Sequence, residues 1–156
     1  MQIHLIAVGT RLERWVEDGY REYAKRLPKE CALRLVQIPP GKRTRGSDPG
    51  RAVREEGQRM LASIPRDSTV VALAVDGRGW STEALADQLR DWLADGRDRA
   101  LLIGGPDGLW GDCAARADTR WSLSPLTLPH PLVRILVAEQ LYRAWSVVAG
   151  HPYHRG

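Results

Sequence analysis

The chain has 156 residues, 43% of them hydrophobic and 27% charged. These are the proportions of an ordinary globule, and the length is that of one domain at ~100–200 residues per domain. The net charge of +4 and the pI near 9.4 are mildly basic; they favour a polyanionic partner without requiring nucleic acid.

The most apolar stretch, Leu132 to Val148, is interrupted by Arg134, Glu139 and Arg143, so no membrane association is expected. Met1-Gln2-Ile3-His4 does not begin a charged, then apolar, then cleavable leader, so no secretory signal is expected. Cys31 and Cys113 are far apart and unpatterned, and read as free thiols of a reducing cytoplasm.

Gln2 to Val8 is apolar and rich in strand formers, and stops at Gly9-Thr10. Leu12, Trp15, Val16, Tyr20, Tyr23, Ala24 and Leu27 recur at helical spacing until Pro28. Leu33 to Ile38 reads as a second strand, ended by Pro39-Pro40-Gly41, and Lys42 to Gly50 as a basic loop. Val53, Gly57, Met60, Leu61 and Ile64 mark a second helix. Thr69 to Val75 is a continuous apolar run, as expected of a central strand covered on both faces. Ser81 can cap a third helix with apolar positions Leu85, Leu89, Trp92 and Leu93, and Glu83 lies in its first turn.

Ala100 to Ile103 reads as a fourth strand, Asp112 to Ala117 as a short helix and Trp121 to Leu123 as a fifth strand. The last helix starts near Pro131, a residue at ease in a first turn. Strands alternating with helices predict an α/β fold with a mainly parallel sheet. No repeat or linker divides residues 1–156, so a single domain is expected.

Three segments carry chemistry. Gly104-Gly105-Pro106-Asp107-Gly108 joins a strand to a helix, where open α/β sheets place ligands. It fits neither the G-x-G-x-x-G dinucleotide pattern nor a P-loop, and the plain alternative is a tight turn. Ser122 to Pro131 is proline-containing and too apolar for an exposed loop; its main-chain polar groups need partners, which the core or a ligand such as an adenosine can supply. The tail His151-Pro152-Tyr153-His154-Arg155-Gly156 concentrates reactive side chains where a terminus normally frays. Together they suggest a small cofactor beside an anionic substrate.

The last helix is apolar nearly all round, which predicts cover from a partner subunit. Glu139 and Arg143, spaced i,i+4, either pair with each other or aim Arg143 at an anion. The tail has no Cys or acidic residue to complete a metal set, so no metal is expected. Lys42, Arg43 and Arg45 read plainly as a solvated turn, and for an RNA substrate as the first candidates for phosphate contact.

In Ile3 to Gly9, Ile38-Pro39-Pro40-Gly41-Lys42-Arg43, the Leu101 to Gly108 turn, Leu126 to Arg134, Glu139 to Ala144 and His151 to Arg155, the chain resembles the ribosomal RNA large subunit methyltransferase H family of the SPOUT superfamily. The resemblance implies a SPOUT-type sheet flanked by helices, a C-terminal trefoil knot and a cytoplasmic homodimer. The implied reaction uses S-adenosylmethionine to methylate N3 of the pseudouridine at position 1915, in helix 69 of 23S rRNA.

Matched by position, the implied cofactor contacts are Leu73, Gly104, Leu123, Ser124, Pro125, Leu126, Thr127 and Leu128. Pro125 departs from the family's pattern and can offer no N–H. His154 is the implied proton acceptor or substrate-orienting group, since histidine titrates near neutrality. Tyr153 would stack on or hydrogen-bond the base. Arg143 would meet phosphate or the developing N3 anion, and Arg155, with Lys42 and Arg43, would contact RNA. So small a chain has no separate RNA-binding domain, which implies that the assembled ribosome presents the nucleotide. Two other readings stay open: a SPOUT enzyme acting on another RNA such as tRNA, and a ribosome-assembly factor without catalysis. A Rossmann-type methyltransferase does not fit, because Gly9 stands alone after the first strand.

Overall fold

A computed structural model describes residues 1–155. Its elements run β1 (Ile3–Val8), α1 (Arg14–Ala24), β2 (Leu33–Ile38), α2 (Pro49–Ser63), β3 (Thr69–Gly79), α3 (Thr82–Asp95), β4 (Arg99–Ile103), α4 (Gly111–Arg116), β5 (Thr119–Ser122) and α5 (His130–Ala149). The five strands form one sheet in the order β2-β1-β4-β3-β5, and every pairing is parallel. The α/β expectation holds.

The strand alternation builds two cores. Ile3, Leu5, Ala7, Val71, Leu101, Ile103 and Trp121 face one side, where they meet Tyr20, Leu85, Leu89, Val137 and Leu141 from α1, α3 and α5. Ile6, Val8, Ile38, Val70, Ala100 and Leu102 face the other, where they meet Met60 of α2 and Cys113 of α4. Strands covered on both faces explain the unbroken apolar runs in the sequence. Cys31 and Cys113 belong to opposite cores and are free; burial pushes both thiols up to about 11.

Local chemistry sets the element ends. Ser81 accepts a hydrogen bond from the Ala84 N–H at 3.0 Å and caps α3. Asp48 does the same for Gly50 at the start of α2. Beyond shifts of one or two residues at other element ends, three features differ from the sequence reading. Helix α1 stops at Ala24, and Trp15 is 56% exposed, its indole N–H donating to Glu13; its place in the apolar pattern did not make it core. Strand β3 continues to Gly79 past an irregularity between Leu73 and Arg78, where residues 74–77 leave the pairing with β5. The tail after α5 is ordered as a 3-10 turn, Pro152–Arg155.

Arg134 of α5 is wholly buried. Its Nη2 donates to the carbonyls of Val8 and Gly9, both at 2.9 Å, and its Nη1 to the Gln37 side-chain oxygen at 3.4 Å. Gly9 has φ +123°, and a Cβ there would lie 2.9 Å from Nη2, so glycine is required. No helix among the described residues is long and apolar enough to cross a membrane. Replacing Arg134 by Met leaves two buried carbonyls unpaired, at about 1–3 kcal/mol each. Thermal unfolding of Arg134→Met is therefore expected to show a loss of about 2–6 kcal/mol, and an unchanged midpoint would show that these carbonyl bonds do not hold α5 down.

Candidate active site

The carboxyl ends of β1, β4 and β3 lie along one edge of the sheet, and a cleft of about 710 Å³ opens there. Leu73, Gly104, Leu123, Ser124, Leu126, Thr127 and Leu128 all line it. Pro125, also expected at the cofactor, is exposed and does not. The glycine turn is closed by the Gly108 N–H donating to the Gly105 carbonyl at 3.0 Å. A Cβ on Gly104 would stand 2.5 Å from the Gly108 carbonyl carbon, so main chain forms this wall. Across the cleft, Ser122 donates to the Ser124 carbonyl and the Leu126 N–H donates to the Ser124 hydroxyl, both at 3.0 Å. These bonds turn the chain so that Leu126 is 71% exposed. The Thr127 and Leu128 N–H groups have no partner among the described residues.

Several lining residues escaped the sequence reading. Val75 and Asp76 arrive through the break in β3, which nothing in the apolar run Thr69 to Val75 announces. Trp121 contributes a ring stacked on Trp80 with centroids 5.3 Å apart. His130 lines the cleft from the first turn of α5, and its Nδ1 is buried without a partner. Proline neighbours in Pro129-His130-Pro131 were its only sequence signal.

Arg43 is held in the protein. Its guanidinium donates to both oxygens of buried Glu56, at 2.6 and 3.2 Å, and through Nε to Asp107 of the glycine turn at 2.9 Å. The two carboxylates keep it firmly protonated. Its charge is thus already matched before any RNA arrives. Lys42 is exposed, and its ammonium has no ion-pair partner among the described residues.

The tail forms a second cluster. Arg143 pairs with Glu139 at 2.6 Å, so the i,i+4 pairing is real. The Tyr153 hydroxyl donates to the same Glu139 oxygen at 3.0 Å, and the Arg143 guanidinium lies 4.9 Å from the Tyr153 ring centroid. Tyr153 also packs on Tyr142. Burial and Glu139 push the Tyr153 phenol up to about 12, so it stays protonated and acts as a donor. His154 is half-buried with its Nδ1 unpartnered, and Arg155 is exposed. None of these four residues, nor Lys42 or Arg43, lines the cleft. Among the described residues no group of three His, Cys, Asp or Glu could hold a metal.

The family model described as predicted SPOUT methyltransferase matches residues 1–154. The chain belongs to the SPOUT methyltransferase family. It is 62% identical to a protein of Alkalilimnicola ehrlichii named ribosomal RNA large subunit methyltransferase H, over 99% of each chain. It is 57% identical to a protein of that name from Methylococcus capsulatus, over 99% of this chain and 100% of the relative. Among solved structures, a methylase family protein from Haemophilus influenzae Rd KW20 shares the fold at TM-score 0.57 and 12% identity, covering 97% of this chain and 69% of that one. The Legionella pneumophila methyltransferase Lpg2936, solved with bound SAM, aligns at TM-score 0.50 and 11% identity over 95% and 66%. Identities this low speak for the fold alone. The SPOUT sheet thus places the glycine turn and the Leu123 to Leu128 segment on opposite walls of one cleft.

Glu56 is 3% exposed at its side chain. Removing Arg43 strands it as a buried, unpaired carboxylate, which typically costs about 3 kcal/mol or more. Arg43→Ala should therefore lower stability by about 3 kcal/mol, and Lys42→Ala by less than about 0.5 kcal/mol, in denaturant titration. Equal, small effects would mean that Arg43 is as free as Lys42.

Proposed function

We propose that this chain uses S-adenosylmethionine to methylate N3 of the pseudouridine in helix 69 of 23S rRNA. It acts in the cytoplasm, as a homodimer, on the assembled ribosome. The observation that carries the reading is the cleft, which gathers all the expected cofactor positions except Pro125. Its volume falls within the ~300–1,000 Å³ of small-molecule sites. The open N–H groups of Thr127 and Leu128 and the side-chain-free wall at Gly104 suit a cofactor with polar edges. Apolar Leu73, Leu123 and Leu128 suit its flat adenine. The identity of 62% over 99% of a ribosomal RNA methyltransferase H supports the RNA target.

The family's trefoil knot belongs to the same reading. The chain leaves the sheet at β5, on one edge, and Arg134 then draws α5 back to the end of β1. A knot would require that return to thread the segments already laid down.

When bound, S-adenosylmethionine supplies a methyl group made electrophilic by its sulfonium. The residues of the chain must bring N3 to within ~3–3.5 Å and in line, and must take the N3–H proton. Leu73, Gly104, Leu123, Ser124, Leu126, Thr127 and Leu128 would hold the cofactor and exclude water. His154 accepts the proton. Tyr153, kept protonated, contacts the base, Arg143 and Arg155 face phosphate and the charge growing near N3, and Lys42 extends the phosphate contact. Because the tail is remote from its own cleft, a second copy presents its tail there, seated on the partly exposed apolar residues of α5 and on Leu126.

Ribosomes from a strain lacking the protein, incubated with it and methyl-labelled S-adenosylmethionine, should carry label on the helix 69 pseudouridine by nuclease mapping and mass spectrometry. Label on tRNA or free rRNA alone would point to another substrate, and no label with no cofactor bound would point to an assembly factor. His154→Ala should lower the rate by roughly 10²–10⁴-fold; an unchanged rate across pH would remove it as proton acceptor. Gly104→Ala should abolish cofactor binding in calorimetry. Equimolar mixing of unfolded and co-refolded Gly104→Ala and His154→Ala chains should restore about a quarter of the activity if each site draws on two copies. No restoration would mean that each chain completes its own site.

A further inference from the structure

A second pocket, of about 520 Å³, adjoins the cofactor cleft. It is lined by Val8, Gly9, Thr10, Arg11, Pro40, Pro106 and His130. Pro106 and His130 line both cavities, so the two cavities meet at these residues. A methyl group can pass only between sites that share such a boundary.

The chemistry of the second pocket suits a pyrimidine nucleotide. Pro40 and Pro106 give apolar surface for a flat ring. Thr10 gives a hydroxyl, and Arg11 is exposed and has no ion-pair partner among the described residues, which leaves it for a phosphate. The floor is rigid, because Arg134 holds the Val8 and Gly9 carbonyls. Neither ring nitrogen of His130 has a hydrogen-bond partner among the described residues. The groups around the ring are Arg134 on its own helix, Glu56 of α2 and Arg43 of the preceding loop. Burial and then Arg134 lower the pKa of His130, Glu56 opposes them and Arg43 adds to the lowering. At neutral pH the imidazole is therefore uncharged, with one N–H donor and one acceptor.

We propose that this second pocket receives the acceptor pyrimidine, and that His130 donates a hydrogen bond to a ring carbonyl beside N3. The inference rests on the reading of the chain as a pyrimidine N3-methyltransferase. In the reaction the N3–H proton goes to His154, the freed N3 pair forms the N–C bond, and the pair of the breaking C–S bond stays on sulfur. As the proton leaves, negative charge spreads from N3 onto the flanking carbonyls. A donor fixed at one of them binds that charge more tightly than the neutral ground state. His130 thus touches the reacting base, whereas the cofactor-holding segment does not.

The test compares His130→Ala and His130→Gln with wild type on ribosomes, and follows nucleotide binding directly. Loss of one such donor lowers kcat by roughly 10²–10³-fold. His130→Ala should show that loss with cofactor affinity unchanged, and His130→Gln, which keeps an N–H donor, should recover part of it. Pseudouridine 5′-monophosphate added to labelled protein with S-adenosylhomocysteine should shift the NMR signals of Gly9, Thr10, Arg11 and the His130 ring. Full activity of His130→Ala beside an active wild type overturns this role alone. A loss explained by weaker cofactor binding also overturns it, and places His130 in the cofactor cleft. Nucleotide shifts elsewhere, or none, overturn the pocket. A wild type that leaves pseudouridine unmethylated overturns both this inference and the reading beneath it.

Discussion

The arrangement of the site depends on one buried cation. Arg134 sits in the core with no carboxylate beside it, and its charge is met by main-chain carbonyls of Val8 and Gly9. Stripping a guanidinium of water is costly unless hydrogen bonds replace the lost hydration. The carbonyls that do so lie at the end of β1. Helix α5 is thereby fixed over the carboxyl edge of the sheet. His130, one helical turn earlier, is carried to where the two cavities meet, and Val133 into the larger one. Burial beside Tyr20 lowers the pKa of Arg134 and raises that of the phenol. A charge that would be a liability elsewhere here determines which residues reach the ligand.

A second electrostatic joint fixes the opposite wall. Arg43 links its own loop to α2 through Glu56 and to the glycine turn through Asp107, and Glu56 also accepts the Gly41 N–H at 2.9 Å. Three segments distant in sequence are locked by one guanidinium, which holds the turn against the cleft. The net charge of +4 therefore overstates what the surface offers to RNA at this point, because one basic side chain that looks free in the sequence is structural. Lys42, Arg11 and Arg155 remain exposed to a phosphate backbone.

The sequence made most of the fold legible because both sheet faces are covered, so strands appear as uninterrupted apolar runs and helices as 3.6-residue stripes. It was least informative where a residue's role is set by partners far along the chain. Trp15 satisfies the helical period yet faces water, because the period marks a stripe and not its depth. The break in β3 starts inside an apolar run, since Leu73 and Arg78 both pair with Trp121 and residues 74–77 bulge out of the ladder between them. Glu56 is one of two adjacent acids, and only the fold shows that it, and not Glu55, is buried. The Leu123 to Leu128 segment reads as too apolar for an exposed loop, yet Leu126 and Thr127 are exposed, because the bonds through Ser122 and Ser124 turn the chain outward. Pro125, with no N–H to offer, turned outward.

The geometry of α5 constrains how the site can be completed. The tail folds back so that Tyr153 reaches Glu139 and Tyr142, while His130 stands at the cleft. The nine-residue step from His130 to Glu139 in α5 corresponds to ~14 Å of helix axis. A helix pinned at Arg134 and packed on α1 and α3 cannot shorten that distance. Within one protomer, then, a tail group cannot serve a base held near His130 without melting the last turns of α5, which Gly150 and the His151 N–H bond to Ser146 already close. In the proposed homodimer, two copies of α5 laid antiparallel would remove the difficulty, because the distance that separates tail from cleft within a chain would then carry each tail toward the other copy's cleft. The same face that leaves Leu132 and Leu136 only partly covered is the one such a pairing would bury. On this argument the apolar surface of the last helix and the chemistry of the tail are two consequences of one requirement.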